Sequence, residues 1–189
     1  KNKHVFPTDK EKRVKLLYSL QDISELKQIL NSFEKWDQIV VTEKLRRFLK
    51  GSILPSEESL ENSFARNTGF ELWLASLFSQ KGYLSKISIH NPDLTIIVDD
   101  RNYFIECKRV YSENGVESAT KDAFKQLLKQ TNNTNGIGVV AISISKVIPQ
   151  NDLMLVSKND QKASEIIYKL EHDFILKYEK DMRFWRGHI

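Results

Sequence analysis

The chain has 189 residues, 40% of them apolar and 10% aromatic, which supports a packed core and excludes a disordered composition. Its formal charge of +4 is unevenly spread, with twelve bases against seven acids in residues 1–50 and six against eight in 51–112. No apolar run reaches the roughly 18 residues of a membrane span, and no signal-peptide pattern opens the chain.

The first sixty residues read as helical. Asp9 is placed to cap a segment carrying Val14, Leu17, Tyr18 and Leu20, and Asp22 a second one carrying Leu26, Ile29, Leu30 and Phe33. A third helix spans Trp36 to Lys50, with Gly51 as its C-cap. Its Lys44, Arg46, Arg47 and Lys50 form the densest basic patch in the chain, which serves either as a solvated face or as a nucleic-acid contact. The linker from Gly51 to Pro55 divides a helical N-terminal region, 1–55, from an α/β domain with a C-terminal helix, 56–189.

Ser56 is placed to cap a short helix through Phe64, and a stronger helix follows from Thr68 to Lys81 with Phe70, Trp73, Leu74, Leu77 and Phe78 facing a core. Glu71 lies at the border of that stripe. It is either a first-turn acid favoured by the helix dipole or an acid that reaches the sheet edge. Gly82 ends the helix, and Tyr83–His90 alternates as a strand.

Leu94–Val98 and Tyr103–Ile105 then flank Asp99-Asp100-Arg101-Asn102, which is a hairpin signal. Symmetric closure on Asp100 and Arg101 sets Asp93 opposite Lys108 and Thr95 opposite Glu106. Asp93, Glu106 and Lys108 then project from one face, and Asp99 and Asp100 stay at the turn tip. Cys107 falls on the opposite face and packs as a small apolar residue. As the chain's one cysteine it permits no intrachain disulfide, so a reducing, cytoplasmic compartment is expected. The chain starts at Lys1 rather than Met, which leaves a removed leader open.

Beyond the hairpin, Ser112–Ala119 reads as loop, Thr120–Gln130 as helix and Thr131–Gly136 as loop. Ile137–Ile148 is apolar enough for a strand covered on both faces, ended by Pro149. Leu153–Val156 reads as a short strand, and Asp160–Met182 as one long amphipathic helix.

The triplet Glu106-Cys107-Lys108 carries the chemical signal. Glu-x-Lys also occurs at Glu25-Leu26-Lys27 on a plain amphipathic helix, so the triplet alone means little. Here it interrupts an apolar strand, opposite Pro92-Asp93. Buried ions are costly unless paired or bound to metal, and spacing alone serves a structural salt bridge equally well. Four scattered histidines show no zinc spacing.

With Pro92-Asp93, Glu106-Cys107-Lys108 and Glu71 on the preceding helix, the chain resembles the PD-(D/E)xK nuclease superfamily. The likeness covers about Thr68 to Ile148. It implies a restriction-endonuclease-like α/β core, in the order helix, three strands, helix, strand, around a mixed central sheet. It further implies that Asp93, Glu106 and the Cys107 carbonyl bind Mg²⁺ (or Mn²⁺), with Glu71 at a second ion or a metal-bound water. Lys108 then orients the attacking water or stabilises the phosphate. Gln126, on the next helix, is either an exposed amide or part of the site's outer shell. The expected activity is metal-dependent endonuclease cleavage of DNA, with dimerisation expected because cutting both strands calls for two sites. The rival readings are the same chemistry on RNA or branched junctions, and a nucleic-acid-binding or assembly module that no longer cleaves.

Overall fold

A computed structural model describes residues 9–52, 57–59, 63–132, 134–147 and 157–186 of the chain. Helix α1, Lys10–Leu30, starts where Asp9 accepts a hydrogen bond from the Lys12 N–H at 2.9 Å. It runs unbroken through Asp22, where a new helix was expected. No glycine or proline interrupts it there, and the Asp22 carboxylate instead accepts from the Arg66 guanidinium at 3.0 and 3.3 Å. Helix α2, Gln38–Phe48, is capped by Asp37, which accepts from the N–H groups of Ile39 and Val40. Trp36, expected inside it, precedes it and donates its indole N–H to the Ser79 hydroxyl at 3.1 Å.

Helix α3, Phe64–Gln80, begins one turn earlier than the pattern predicts. Thr68 is therefore inside it, with its hydroxyl bonded back to the Phe64 carbonyl at 2.7 Å. Gly82 takes the left-handed conformation, φ 87°, that terminates helices. Gly51, expected to do the same for α2, serves a different purpose. A Cβ added there would lie 2.5 Å from the Cβ of the fully buried Ala65, so glycine is what lets the end of α2 approach α3. Gly51→Ala should cost about 1–3 kcal/mol through overpacking, read as a lower urea midpoint with an unchanged slope.

Strands β1 (Leu84–Ile87), β2 (Leu94–Val98), β3 (Arg101–Arg109) and β4 (Ile137–Ser143) form one sheet in the order β1-β2-β3-β4. β1, β2 and β3 pair antiparallel; β4 joins β3 in parallel. A parallel neighbour needs a crossover, which helix α4 (Gly115–Thr131) supplies. Most of the loop expected at 112–119 is thus helical, because Val116 is drawn into a core beside Val110 and Val147. The element order from α3 to β4 is the one expected: helix, three strands, helix, strand.

The hairpin register differs from symmetric closure on Asp100 and Arg101. Asp99 and Asp100 both have positive φ, 48° and 61°, so they form the two-residue turn and Arg101 pairs with Val98. Aspartate tolerates that conformation more readily than arginine. Thr95 consequently faces Phe104 rather than Glu106. Every partner moves by two positions, an even number, so each side chain keeps its face.

The main core lies between α1–α3 and the sheet, joining Ile29, Val41, Leu72, Leu94, Ile105 and Cys107. Helix α4 packs on β3 and β4 through Ala123 and Leu127. β4 was expected to be covered on both faces, yet Ile137 and Val139 are 39% and 37% exposed, because α3 packs mainly over β1–β3. Helix α5, Asp160–Arg186, is held by Phe174 and Tyr178 in a second apolar cluster. Lys177 also pairs with Glu113 there, and the Tyr178 hydroxyl donates to the Glu113 carbonyl at 3.1 Å. Among the described residues no helix is long and apolar enough to cross a membrane. The Ser56 cap, the boundary at residue 55, Pro149 and the strand expected at Leu153–Val156 lie outside the described residues.

Candidate active site

The middle of β3 is buried, and Glu106 sits in it with a side chain 2% exposed. Because β3 alternates, Ile105 and Cys107 enter the α3-side core, while Glu106 and Lys108 project toward α4. The Lys108 ammonium donates to Glu106 Oε1 and to Gln126 Oε1, both at 2.8 Å. Gln126, on α4, therefore fixes the lysine from the other side. Glu106 Oε2 is buried with no partner at hydrogen-bond distance among the described residues, and the Asp93 main-chain N–H stands near enough to the carboxylate to oppose weakly the rise in its pKa.

Asp93 immediately precedes β2. Its Oδ2 accepts from the Cys107 N–H at 2.8 Å, and its carbonyl accepts from the Ser88 N–H at 3.0 Å. The chain before it is tied to α4, since the Gln130 amide donates to the Asn91 carbonyl at 3.1 Å. Asp93 thus reaches β3 at the residue following Glu106. The N–H and C=O of one strand residue point to the same side, so the Cys107 carbonyl also faces Asp93 rather than β4. Cys107 itself is buried, and that burial pushes its thiol pKa well up, with Asp93, Glu71 and Glu106 adding to the effect. Its packing role stands.

Glu71 extends from α3 toward the same region but is held by Lys44, in an ion pair whose side chains are 13% and 7% exposed. Burial raises the Glu71 pKa, the Asp93 charge raises it further, and Lys44 opposes both. Burial likewise raises that of Glu106, against the lowering effect of Lys108. Lys44, expected in an exposed basic patch, is withdrawn from it. Arg46, Arg47 and Lys50 remain exposed, Arg47 in an ion pair with Glu43. Asp99 and Asp100 are exposed at the turn, away from the site.

The residues fit a hard cation in one respect: a buried carboxylate oxygen of Glu106 without a partner at hydrogen-bond distance stands close enough to Asp93 to feel its charge. As placed, no three His, Cys, Asp or Glu side chains among the described residues form a ready ligand set. Each acid is turned to a separate partner: Glu71 to Lys44, Asp93 to the Cys107 N–H, Glu106 to Lys108. From Lys108 a cavity of about 670 Å³ opens between the end of β3 and α4, lined by Tyr111, Ser112, Asp122, Lys125 and Gln126.

A second charged group escaped the sequence reading. Glu58, its side chain 1% exposed, lies 3.0 Å from Arg66 Nε, 3.1 Å from Arg109 and 3.7 Å from Lys146. Its partners lie on α3, at the end of β3 and beyond β4, so no local spacing links them. The one available signal was that Arg109 and Lys146 each directly precede an apolar residue, Val110 and Val147. Comparison with protein-family models, curated proteins and solved structures returns no match to this chain.

Proposed function

We propose that this chain is a metal-dependent endonuclease of the PD-(D/E)xK type, hydrolysing DNA phosphodiester bonds from a restriction-endonuclease-like core. The observation that carries the reading is the buried Glu106 carboxylate, half satisfied by Lys108 and half open, beside Asp93. A charge so placed in a sheet costs stability unless it serves a ligand. The order of elements from α3 to β4 and the mixed sheet support the same assignment.

Asp93, Glu106 and the Cys107 carbonyl would hold Mg²⁺ (or Mn²⁺), which supplies acidification of a water and charge neutralisation at the phosphate. The Asp93 contact to the Cys107 N–H keeps the two arms of the site together. Lys108 uses two of its three protons on Glu106 and Gln126, leaving one for a water or a phosphate oxygen on the cavity side. Gln126 stops the lysine from swinging away. Exposed Arg46, Arg47 and Lys50 are suited to backbone phosphates, and in-line attack would leave a 5′-phosphate.

Plasmid and single-stranded DNA should be cut in Mg²⁺, and not in EDTA. Asp93→Ala should lower the rate by about 1000-fold, the scale of losing a group that stabilises the transition state. Cleavage that survives EDTA or the substitution overturns the mechanism. Binding without cleavage in both Mg²⁺ and Mn²⁺ favours the non-cleaving module, and cleavage confined to RNA or junctions changes the substrate.

Two cuts call for two sites, and α5 has the surface for a second copy. Its Ile167, Tyr168, Ile175 and Leu176 are 47–69% exposed. Residues 160–173 carry four acids against two bases, and 174–186 the reverse, so antiparallel α5 helices would be complementary in charge. Sedimentation should give a dimer that Ile167→Glu/Ile175→Glu converts to monomer; a monomeric wild type overturns the pairing.

A further inference from the structure

We infer that Lys44 occupies the place of a second divalent ion, so that this site loads one metal ion rather than two. The inference rests on the proposed metal site and names how that site is filled. Of the four bases near the end of α2, three are exposed and Lys44 alone turns inward, 6% exposed. Lysine is rarely buried without a specific partner. Here the partner is Glu71, 27 positions away on α3, so the pair is tertiary and not a helix-surface pair like Arg47–Glu43.

Glu71 is the third acid of the region. It feels the charges of both Asp93 and Glu106, and its own burial disfavours the carboxylate. Three carboxylates that feel one another's charge in a partly dehydrated region need positive charge. Lys108 supplies one at Glu106, and Lys44 supplies another at Glu71. In contact with Lys44, Glu71 Oε2 is already engaged by a cation and its charge is matched. A second divalent ion there would have to displace a buried ammonium, or share the site with it. Lys44 is accordingly a positioning residue: it acts by holding Glu71 away from the ion bound at Asp93 and Glu106.

The test is a count of bound ions, independent of cleavage. Metal-free full-length protein is titrated with MnCl₂, and free Mn²⁺ is followed by electron paramagnetic resonance. Wild type and Lys44→Arg are expected to bind one ion, Lys44→Gln two, and Lys44→Gln/Glu71→Gln one again. Glu71→Gln alone should leave the count at one, which keeps the test decisive if Lys44→Gln fails to fold. Two ions in wild type, one in folded Lys44→Gln, or none in Glu71→Gln overturns the role of Lys44 while the metal site stands. No bound Mn²⁺ in any form overturns the metal site itself, and the inference with it.

Discussion

Glu106→Gln is expected to abolish cleavage, by about 1000-fold or more, while making the metal-free protein more stable. Both effects come from one buried carboxylate. Gln keeps an oxygen to accept from Lys108 at the 2.8 Å contact, so the local geometry survives. What it removes is a charge that burial disfavours, as the raised Glu106 pKa states. In the unfolded chain this carboxylate ionises at its ordinary, lower pKa. Between the two values the folded state binds the proton more tightly, so stability present in acid is lost as pH rises through the folded pKa. The substitution should therefore gain about 1 kcal/mol near pH 8, shrinking toward zero near pH 4, in urea denaturation at both values. Mg²⁺ should raise the melting temperature of wild type and leave the variant unmoved. A variant less stable than wild type at pH 8 contradicts the account.

Glu58→Ala is expected to have the largest effect on folding, about 3–5 kcal/mol, because it strips the shared counter-charge from buried cations. Arg66 also has Asp22, but Arg109 and Lys146 both depend on Glu58 within 3.7 Å. The Arg109 and Lys146 side chains are 7% and 15% exposed, so water compensates them poorly. Their charges also face the Tyr111 ring, at 6.0 and 5.0 Å from its centre, too weak a contact to replace a carboxylate. Arg109 follows Lys108 on β3, so loosening the cluster should also lower cleavage, in proportion to the fraction unfolded. A double-mutant cycle with Arg109→Leu should show strong coupling: the second substitution costs little once Glu58 is gone. Additive losses sink the idea that Glu58 holds these cations.

Much of this molecule is legible locally. Asp9 announces a helix start, Gly82 a helix end, and Asp99-Asp100 a turn. The shared face of Glu106 and Lys108 follows from strand alternation, and the faces of the β2–β3 pairs are unchanged by the different register because the shift is even. The contact of Gln126 with Lys108 could be named as a candidate but not placed, since it depends on how α4 packs across the sheet.

The sequence by itself determined most of the periodic and the stereochemical: where most helices and strands run, and which way each residue of β3 points. Those properties depend on residues a few positions apart, through helical and strand periodicity and through the φ range each side chain tolerates. Tertiary structure alone decided where charge is compensated. Lys44 reads as a surface base until α2 packs on α3 and presents it to Glu71. Glu58 reads as an ordinary acid of a short helix until α3, the end of β3 and the segment after β4 deliver cations to it. Pairing of buried charge is a property of the volume in which the groups are dehydrated, and that volume exists only once the elements have met.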